Sequence, residues 1–266
     1  MDKKHVTIVT ATDTKYLQKL ELVYPNWCKY KQVDQYPMIV YVNGFDNPDT
    51  DTRLDFLRSN DNLEIIKWDF PQAKTQKERM VLAFVFGAAR DVETDYFLKL
   101  DADAFFTNNY PLITDNMADY VIYGHRWGYT KPAEWIKQLD DWAKLVPNFN
   151  DKKPMYNEKN IEKETNRYFH KRLASYVCFH DKEFVEFAAS LALHTPFPTD
   201  DEQDDNQIGK ERLPVPSHDT YLWYVANQLG LKWGRTHFKG ERGVTNCCAY
   251  KRIKQALETL AAGKQV

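Results

Sequence analysis

The chain has 266 residues, which is long enough to bury a sizeable core as one large domain or two small ones. Its composition is globular, with 43% hydrophobic and 28% charged residues, and the formal net charge of -2 argues against a basic surface built for nucleic acid. No run approaches the roughly 18 apolar residues that a membrane span needs, so we expect no transmembrane segment.

Strands and helices alternate along the first hundred residues. The β-branched run at 6–10 is typical of a strand that is covered on both faces, as in parallel sheets. A small-residue turn at 10–14 and a helix over 15–24 follow it. The pattern then continues with strands at 36–42, 63–68 and 96–100 and helices at 52–59 and 74–89. This alternation predicts an α/β fold with a mainly parallel central sheet.

The second half of the chain is less regular. A turn-rich link at 108–115 opens it, and the acidic run at 200–205 is interpreted as a solvated loop. Asp181 is a predicted helix cap. The predicted elements are strands at 118–123, 172–179 and 231–237, and helices at 132–145, 182–193 and from Ser217 or Asp219 to Gly230.

Two carboxylates, Asp101 and Asp103, directly follow the predicted strand at 96–100. Residues two apart on an extended chain point the same way, so we expect both on one side. Paired oxygen ligands at the end of a strand suit Mg²⁺ or Mn²⁺ held together with substrate phosphates. The alternative is that they only end the strand in a turn. The apolar pair Phe105 and Phe106 favours a metal, because unpaired carboxylates near a core are costly.

The order strand, Asp-x-Asp, apolar residue resembles the metal-binding signature of GT-A fold glycosyltransferases, which use nucleotide-sugar donors. Two later segments extend this resemblance. Asp219 opens a helix that runs to a glycine before the last strand, and His237-Phe-Lys-Gly240 resembles the His-x-x-Gly segment of the glycogenin-like branch. The chain departs from the family at His218, where Glu is more common, and it lacks the Lys-Pro-Trp that usually follows the His segment.

The resemblance implies a GT-A type α/β fold. Such a fold has a mainly parallel central sheet flanked by helices and a smaller mixed sheet on the acceptor side. We therefore expect a single domain over residues 1–255, followed by a C-terminal tail at 256–266. Within the domain we expect a nucleotide-sugar half at about 1–107 and an acceptor half at about 108–255.

The resemblance also assigns donor and metal residues. The metal ligands it implies are Asp101, Asp103 and His237, and a histidine suits Mn²⁺ better than Mg²⁺. A plain core or surface histidine is the alternative for His237. The donor-binding candidates are Thr10, Ala11, Thr12, Asp69, Arg79, Asp101 and Lys239. Structural alternatives for the others are a connecting turn at 10–13, a strand-end cap at Asp69 and a solvated charge at Arg79.

The implied catalytic residue is Asp219. In inverting members of the family this carboxylate is the general base for the acceptor hydroxyl, and in a retaining reaction it would position the acceptor instead. Helix capping is the structural alternative. Trp127, flanked by Gly and Arg, is the candidate acceptor contact because aromatic faces stack on sugar rings, whereas Trp135 and Trp142 are expected in the core.

The implied function is transfer of a sugar from a nucleoside diphosphate sugar, with a UDP-sugar favoured, to a hydroxyl acceptor with Mn²⁺ or Mg²⁺ as cofactor. Glycan, lipid, protein and modified nucleic acid all stay open as acceptors. One alternative is a sugar nucleotidyltransferase, which would usually carry a Gly-rich basic signature near the first turn, and none is present at 10–15. The other is a non-catalytic nucleotide-sugar-binding module.

The cysteines predict a reducing, cytoplasmic compartment. None of Cys28, Cys178, Cys247 and Cys248 has Cys-x-x-Cys spacing, and the adjacent last two make a poor disulfide. No Asn-x-Ser/Thr sequon occurs, and the first residues lead straight into a predicted strand, so we expect no signal peptide.

Overall fold

The protein is represented by a computed structural model. It describes residues 5–68, 80, 82–124, 127–129, 133–146, 149, 171–173, 176–194, 218–235, 244–246 and 250–263. Within these ranges, no helix is both long and apolar enough to cross a membrane. A seven-stranded sheet lies at the centre, covered by helices on both faces.

Strands of the described residues form three sheets. They are β1 (Val6–Asp13), β2 (Met38–Asn43), β3 (Leu63–Lys67), β4 (Tyr96–Leu100), β5 (Ala104–Phe106), β6 (Ile122–Gly124), β7 (Trp127–Tyr129), β8 (Lys171–Leu173), β9 (Val177–Asp181), β10 (Trp233–Arg235) and β11 (Val244–Asn246). The central sheet has the order β10-β6-β9-β4-β1-β2-β3, and β5 pairs with β11 and β7 with β8.

The central sheet is mainly parallel, which confirms the prediction from the sequence. β1 is parallel to both β2 and β4, β3 is parallel to β2, and β10 is parallel to β6. Among the described strands of this sheet, only β9 runs against its neighbours, because it is antiparallel to β4 and to β6. Within the part of the chain that the structure describes, β5 and β11 form one antiparallel pair, and β7 and β8 form another.

Helices cover the sheet in two layers. They are α1 (Leu17–Lys31), α2 (Asp55–Arg58), a π-helical turn (Leu82–Gly87) that continues into α3 (Ala88–Asp91), α4 (Ala133–Leu145), α5 (Lys182–His194), α6 (His218–Gln228) and α7 (Tyr250–Ala261). One layer contains α1 and α7, and the other contains α3, α5 and α6. Burial of both faces explains why the central strands read as continuous apolar runs.

Helix α1 is longer than the sequence predicted. The predicted helix ends at residue 24, and the next residue is a proline, which inside a helix removes a hydrogen bond and costs about 3 kcal/mol. The helix nevertheless passes Pro25 and continues to Lys31. Tertiary contacts stabilise this continuation: Asn26 is hydrogen-bonded to the backbone of Phe106, and Trp27 Nε1 donates to the Ala104 carbonyl at 2.7 Å.

Other boundaries also differ. The predicted strand at 172–179 is two strands, since β8 belongs to a small sheet and β9 to the central one. The predicted strand at 118–123 is wrong in its first part, because Asp115–Asp119 forms a 3-10 turn before β6 begins. The predicted turn at 10–14 is also wrong in part, since β1 continues through residue 13 by pairing with β2.

Candidate active site

The candidate site is built on β4 and the residues that follow it. Leu98 and Leu100 belong to the core layer of α1 and α7, and Phe97 belongs to the layer of α5 and α6. Lys99 points into the second layer, because faces alternate along a strand. Its ammonium lies over the ring of Phe84, with Nζ 5.6 Å from the ring centroid.

A tight turn follows β4 and carries both carboxylates. The Asp101 N–H donates to the Tyr176 carbonyl at 2.8 Å, and the Ala104 N–H donates to the Asp101 carbonyl at 2.9 Å. The residue between them, Asp103, is only 6% exposed. The prediction of an extended backbone that puts both carboxylates on one side is wrong at this point. The backbone turns instead, and the turn brings both to the same cleft.

This cleft has a volume of about 180 Å³ and lies at the carboxyl ends of β1, β2 and β4. Besides the two carboxylates, its polar and aromatic lining comes from Thr12, Asp13, Tyr16, Asn43, Trp68 and Phe84. Parallel strands end at the same edge of a sheet, so this edge gathers side chains from distant parts of the sequence. Ligands of open α/β sheets bind at such an edge.

A buried cation lies directly under the carboxylates. Lys99 is 1% exposed, and its Nζ is 2.5 Å from Oδ1 of Asp101. Burial by itself lowers the pKa of Lys99, but the charges of Asp101 and Asp219 outweigh it and raise the pKa above its ordinary value. Lys99 is therefore protonated at neutral pH.

Asp101 is held in a balance of opposing effects. Burial raises its pKa to about 6, the charge of Lys99 acts to lower it, and repulsion from Asp103 and Asp219 raises it further. At neutral pH the carboxylate is mostly ionised. The turn thus presents negative charge to the cleft, and the buried ammonium of Lys99 compensates part of that charge.

Asp219 enters the site from helix α6. It lies in the first turn of that helix and is 6% exposed. A helix N-terminus stabilises a carboxylate through its free N–H groups and the macrodipole. Its influence on the pKa of both Lys99 and Asp101 brings it into the same charged cluster. The residue that the sequence singled out as a possible base is therefore close to the predicted metal pair.

Two buried histidines line the back of this cluster. His180, on β9, stacks on Phe97 with ring centroids 4.6 Å apart, and His218 packs against Phe84 at 4.8 Å. Among the described residues, neither ring nitrogen of either histidine has a hydrogen-bond partner. Burial, together with the Lys99 charge, lowers the pKa of both well below the ordinary value, so both rings are neutral.

Comparison with known proteins settles the fold. No family model matches the sequence, and a search of curated proteins finds no match. Among solved structures, the chain matches the galactosyltransferase LgtC in complex with donor and acceptor sugar analogues. The TM-score is 0.51 at 11% identity, covering 98% of this chain and 96% of that one. The fold is the GT-A fold.

A second solved structure, of an active-site mutant of LgtC, gives the same TM-score of 0.51 at 12% identity, with the same coverage. At sequence identities this low, the match shows a shared architecture and does not identify the substrate. The GT-A architecture was predicted from the sequence, and the described sheet and helices confirm it.

The donor atoms of the GT-A cleft fit a hard divalent cation. Asp101 and Asp103 supply carboxylate oxygens, which are the ligands that Mg²⁺ and Mn²⁺ prefer. Among the described residues, no group of three or more His, Cys, Asp or Glu converges to hold a metal. Two protein ligands suffice for a metal that also binds substrate phosphates. The third predicted ligand, His237, lies outside the described residues.

The other predicted residues divide into four groups. Ala11 and Thr12 line the cleft with the carboxylates. Thr10 is fully buried, and its hydroxyl donates to the Leu100 carbonyl at 2.8 Å, so it joins β1 to β4 beneath the cleft. Trp127 is the first residue of β7 and pairs with Leu173. Asp69, Arg79 and Lys239 lie outside the described residues.

Sequence reasoning missed several residues of the GT-A cleft. Asp13 and Asn43 each stand at the end of a parallel strand, and that position was a signal available in the sequence. Oδ1 of Asp13 accepts hydrogen bonds from the N–H groups of Lys15 and Tyr16, which shapes the turn and aims Tyr16 at the cleft. Lys99 also escapes sequence reasoning, because a single lysine in an otherwise apolar strand carries no signal of its partner Asp101.

Proposed function

We propose that this protein is a glycosyltransferase that moves a sugar from a nucleoside diphosphate sugar to a hydroxyl acceptor with the help of a divalent metal. One observation carries the proposal. In a GT-A fold, the Asp101–Asp103 turn and the ends of the parallel strands share a single cleft at the carboxyl edge of the sheet. LgtC, which has this fold, is a galactosyltransferase.

The donor is proposed to lie along this cleft. Its nucleoside end would contact Ala11 and Thr12, together with Asp13, Tyr16 and Asn43 from the same lining. Tyr16 offers an aromatic face, and Asp13 and Asn43 offer hydrogen-bonding groups for a base or ribose. We propose a UDP-sugar as the first donor to test. Thr10 would contribute through its bond to Leu100, by holding the two strand ends together.

The diphosphate and metal are proposed to lie over Asp101 and Asp103. Mn²⁺ or Mg²⁺ bound there would neutralise charge that develops on the leaving diphosphate. His237 is proposed as a further ligand, which would favour Mn²⁺. Arg79 and Lys239 are proposed as phosphate-binding cations, and Asp69 as a base contact.

The acceptor is proposed to approach from the side of Asp219. If the reaction inverts configuration, Asp219 takes the proton of the attacking hydroxyl. It lies in the first turn of α6, where the helix N-terminus favours a negative charge. If the reaction retains configuration, Asp219 positions the acceptor hydroxyl. Trp127 is proposed to stack on the acceptor, and glycan, lipid, protein or modified nucleic acid acceptors are all compatible with this scheme.

The domain and compartment assignments are proposals of the same kind. We propose one domain over residues 1–255, with a donor half to about residue 107 and an acceptor half after it. We also propose a reducing, cytoplasmic setting, since Cys28 and Cys178 are free thiols.

The test is thermal stability against UDP-, GDP-, CMP- and dTDP-sugars, with and without Mn²⁺, followed by a turnover assay with the donor that binds. A ligand at 100 times its Kd stabilises by about 2.7 kcal/mol, so binding is readily seen. We expect one donor to raise the melting temperature only with metal, and Asp103→Asn to abolish this. Asp61→Asn, in an exposed turn, is the matched control.

Two other outcomes would replace the proposal. Release of pyrophosphate from a nucleoside triphosphate and a sugar phosphate would identify a nucleotidyltransferase. Metal-dependent binding of a donor without transfer or hydrolysis would identify a binding module. A metal-dependent shift that survives Asp103→Asn would contradict the assignment of the metal to this turn.

A further inference from the structure

Lys99 places a buried positive charge beside Asp101, one of the two proposed metal ligands. The side chain is 1% exposed, and Nζ is 2.5 Å from Oδ1 of Asp101. A buried ammonium is thus paired with the proposed metal ligand Asp101. The charge of Asp219, the proposed base, also acts on this ammonium.

Lys99 compensates only part of the negative charge of this cluster before any ligand arrives. Asp101, Asp103 and Asp219 have a formal charge of -3 when ionised, and Lys99 reduces it to -2. A fully uncompensated acidic cluster would draw a divalent cation strongly, because charges interact far more in a buried site than in water. The Lys99 ammonium weakens that attraction, and it occupies one oxygen of Asp101.

The same ammonium has the opposite effect on a diphosphate. A nucleoside diphosphate brings negative charge to the cleft beside Asp101 and Asp103, whose carboxylates repel it. Lys99 reduces that repulsion because its positive charge lies next to Asp101. The cation is therefore unfavourable for the metal alone and favourable for the diphosphate alone.

We propose that Lys99 is a resident counter-cation that keeps the empty site weak for divalent metal, so that the site fills only when metal and donor diphosphate enter together. This inference rests on the proposed function, since it concerns the same metal and donor. Lys99 is a positioning residue here: it acts through the charge of Asp101 and does not touch the reacting atoms.

A purely structural role for Lys99 makes a different prediction. If its pair with Asp101 served only to hold the turn in shape, its loss would weaken metal and nucleotide binding together, or neither. If Lys99 acts as a counter-cation, its loss changes the affinities for metal and for diphosphate in opposite directions. Removing it strengthens binding of the metal alone and weakens binding of the diphosphate alone, and general damage to the site does not produce that pattern.

The experiment measures Mn²⁺ binding by electron paramagnetic resonance of the free ion. The weak metal-free binding of UDP is measured in EDTA by calorimetry, at nucleotide concentrations far above those used for the thermal shifts. For Lys99→Met we expect Mn²⁺ alone to bind at least about tenfold tighter and metal-free UDP to bind about threefold weaker. Lys99→Arg, which keeps the charge, should match the wild type in both. Mn²⁺ binding to Lys99→Met that is unchanged or weaker than wild type would overturn the proposal.

The matched control is Lys31→Met. Lys31 is half-buried, unlike the fully buried Lys99, and its ammonium donates to the carbonyl oxygens of Asn108 and Tyr110, outside the cleft lining. We expect this variant to leave both affinities unchanged. If Lys99→Met does not fold, Lys99→Gln carries the same expectations, because it is neutral and still able to donate to Asp101.

The wild-type protein separates the two proposals. If folded wild type binds no Mn²⁺ even with saturating UDP, the metal-dependent function itself is wrong. If it binds Mn²⁺ with UDP but Lys99→Met shows no change of opposite sign, only the counter-cation role is wrong.

Discussion

Asn26 and Phe106, 80 residues apart, are joined by two hydrogen bonds. Nδ2 of Asn26 donates to the Phe106 carbonyl at 2.9 Å, and the Phe106 N–H donates to Oδ1 of Asn26 at 2.7 Å. The side-chain amide thereby satisfies both backbone groups of a residue in β5. Helix α1 is tied by this contact to the segment that begins directly after Asp103.

Replacing Asn26 should therefore destabilise the protein strongly. Asn26→Ala leaves the Phe106 N–H and carbonyl buried without their partner, so we expect a loss of about 2–4 kcal/mol in the free energy of unfolding, measured by urea titration. The control is Asn60→Ala, which removes a donor to the Tyr24 hydroxyl at a partly exposed position. A loss no larger than the control's would contradict the inferred role of this contact.

Gly234 lies where no side chain fits. A Cβ there would be 2.5 Å from Cδ2 of Tyr123 and 2.7 Å from Cδ1 of Tyr120. We expect Gly234→Ala to cost about 2–3 kcal/mol, because these rings must shift within a packed layer. Gly263→Ala is the comparison. Its Cβ meets nothing within 4 Å, and only the left-handed backbone at φ 71° opposes it, at about 1 kcal/mol. Equal costs in thermal melts would show that the rings adapt freely.

Changing the proposed base should affect turnover more than folding. Asp219→Asn keeps the size of the side chain and removes its charge. For an inverting reaction we expect kcat to fall about 10²–10⁴-fold, measured as transfer or as donor hydrolysis. The metal-dependent thermal shift with donor should persist. A variant with near-normal kcat would remove Asp219 from the role of base.

Chelation should separate ligand binding from folding. The core layers do not depend on a metal, so EDTA should leave the far-ultraviolet circular dichroism and the melting temperature of the free protein unchanged. It should abolish stabilisation by the donor. If His237 is a ligand, Mn²⁺ should restore that stabilisation at lower concentration than Mg²⁺. Donor stabilisation that persists in EDTA would argue against a metal-bridged diphosphate.

Tyr24 makes stability fall at high pH. Burial raises its pKa to about 12, although the hydrogen bond from Asn60 acts in the other direction. An unfolded tyrosine titrates near 10, so between these values the unfolded state loses its proton first and is favoured. At pH 11 this one group should cost about 1.4 kcal/mol relative to pH 8. Tyr24→Phe should show a correspondingly smaller fall in urea titrations, and an identical fall would be inconsistent with the raised pKa.

Elements whose signals are local could be predicted from the sequence. β4 has the predicted bounds, since a short apolar run is closed by acidic residues on both sides. Helix α5 begins where it was predicted, because Asp181 caps it by accepting from the Phe184 N–H at 3.0 Å. Asp101 and Asp103 share one cleft, but the turn after β4 brings them there and not the extended backbone inferred from their spacing.

Features that depend on distant residues could not be predicted in this way. Whether α1 passes Pro25 is decided by bonds to residues 104 and 106, which no local pattern contains. The antiparallel position of β9 is a pairing between residues far apart in sequence. Lys99 and His180 read as isolated polar residues in apolar strands, and only the packing of β4 against β9 and α6 brings them together.

The place of β9 beside β4 has a consequence for synthesis. On the ribosome, β4 emerges well before β9, so the nascent amino-terminal half carries β4 as a temporary edge strand with unpaired backbone groups. Such edges invite pairing with other chains, and an inward-pointing charge deters it. Lys99 provides that charge. We expect the lysine that pairs with Asp101 in the finished protein to protect the half-made sheet from aggregation until residue 177 and its neighbours arrive.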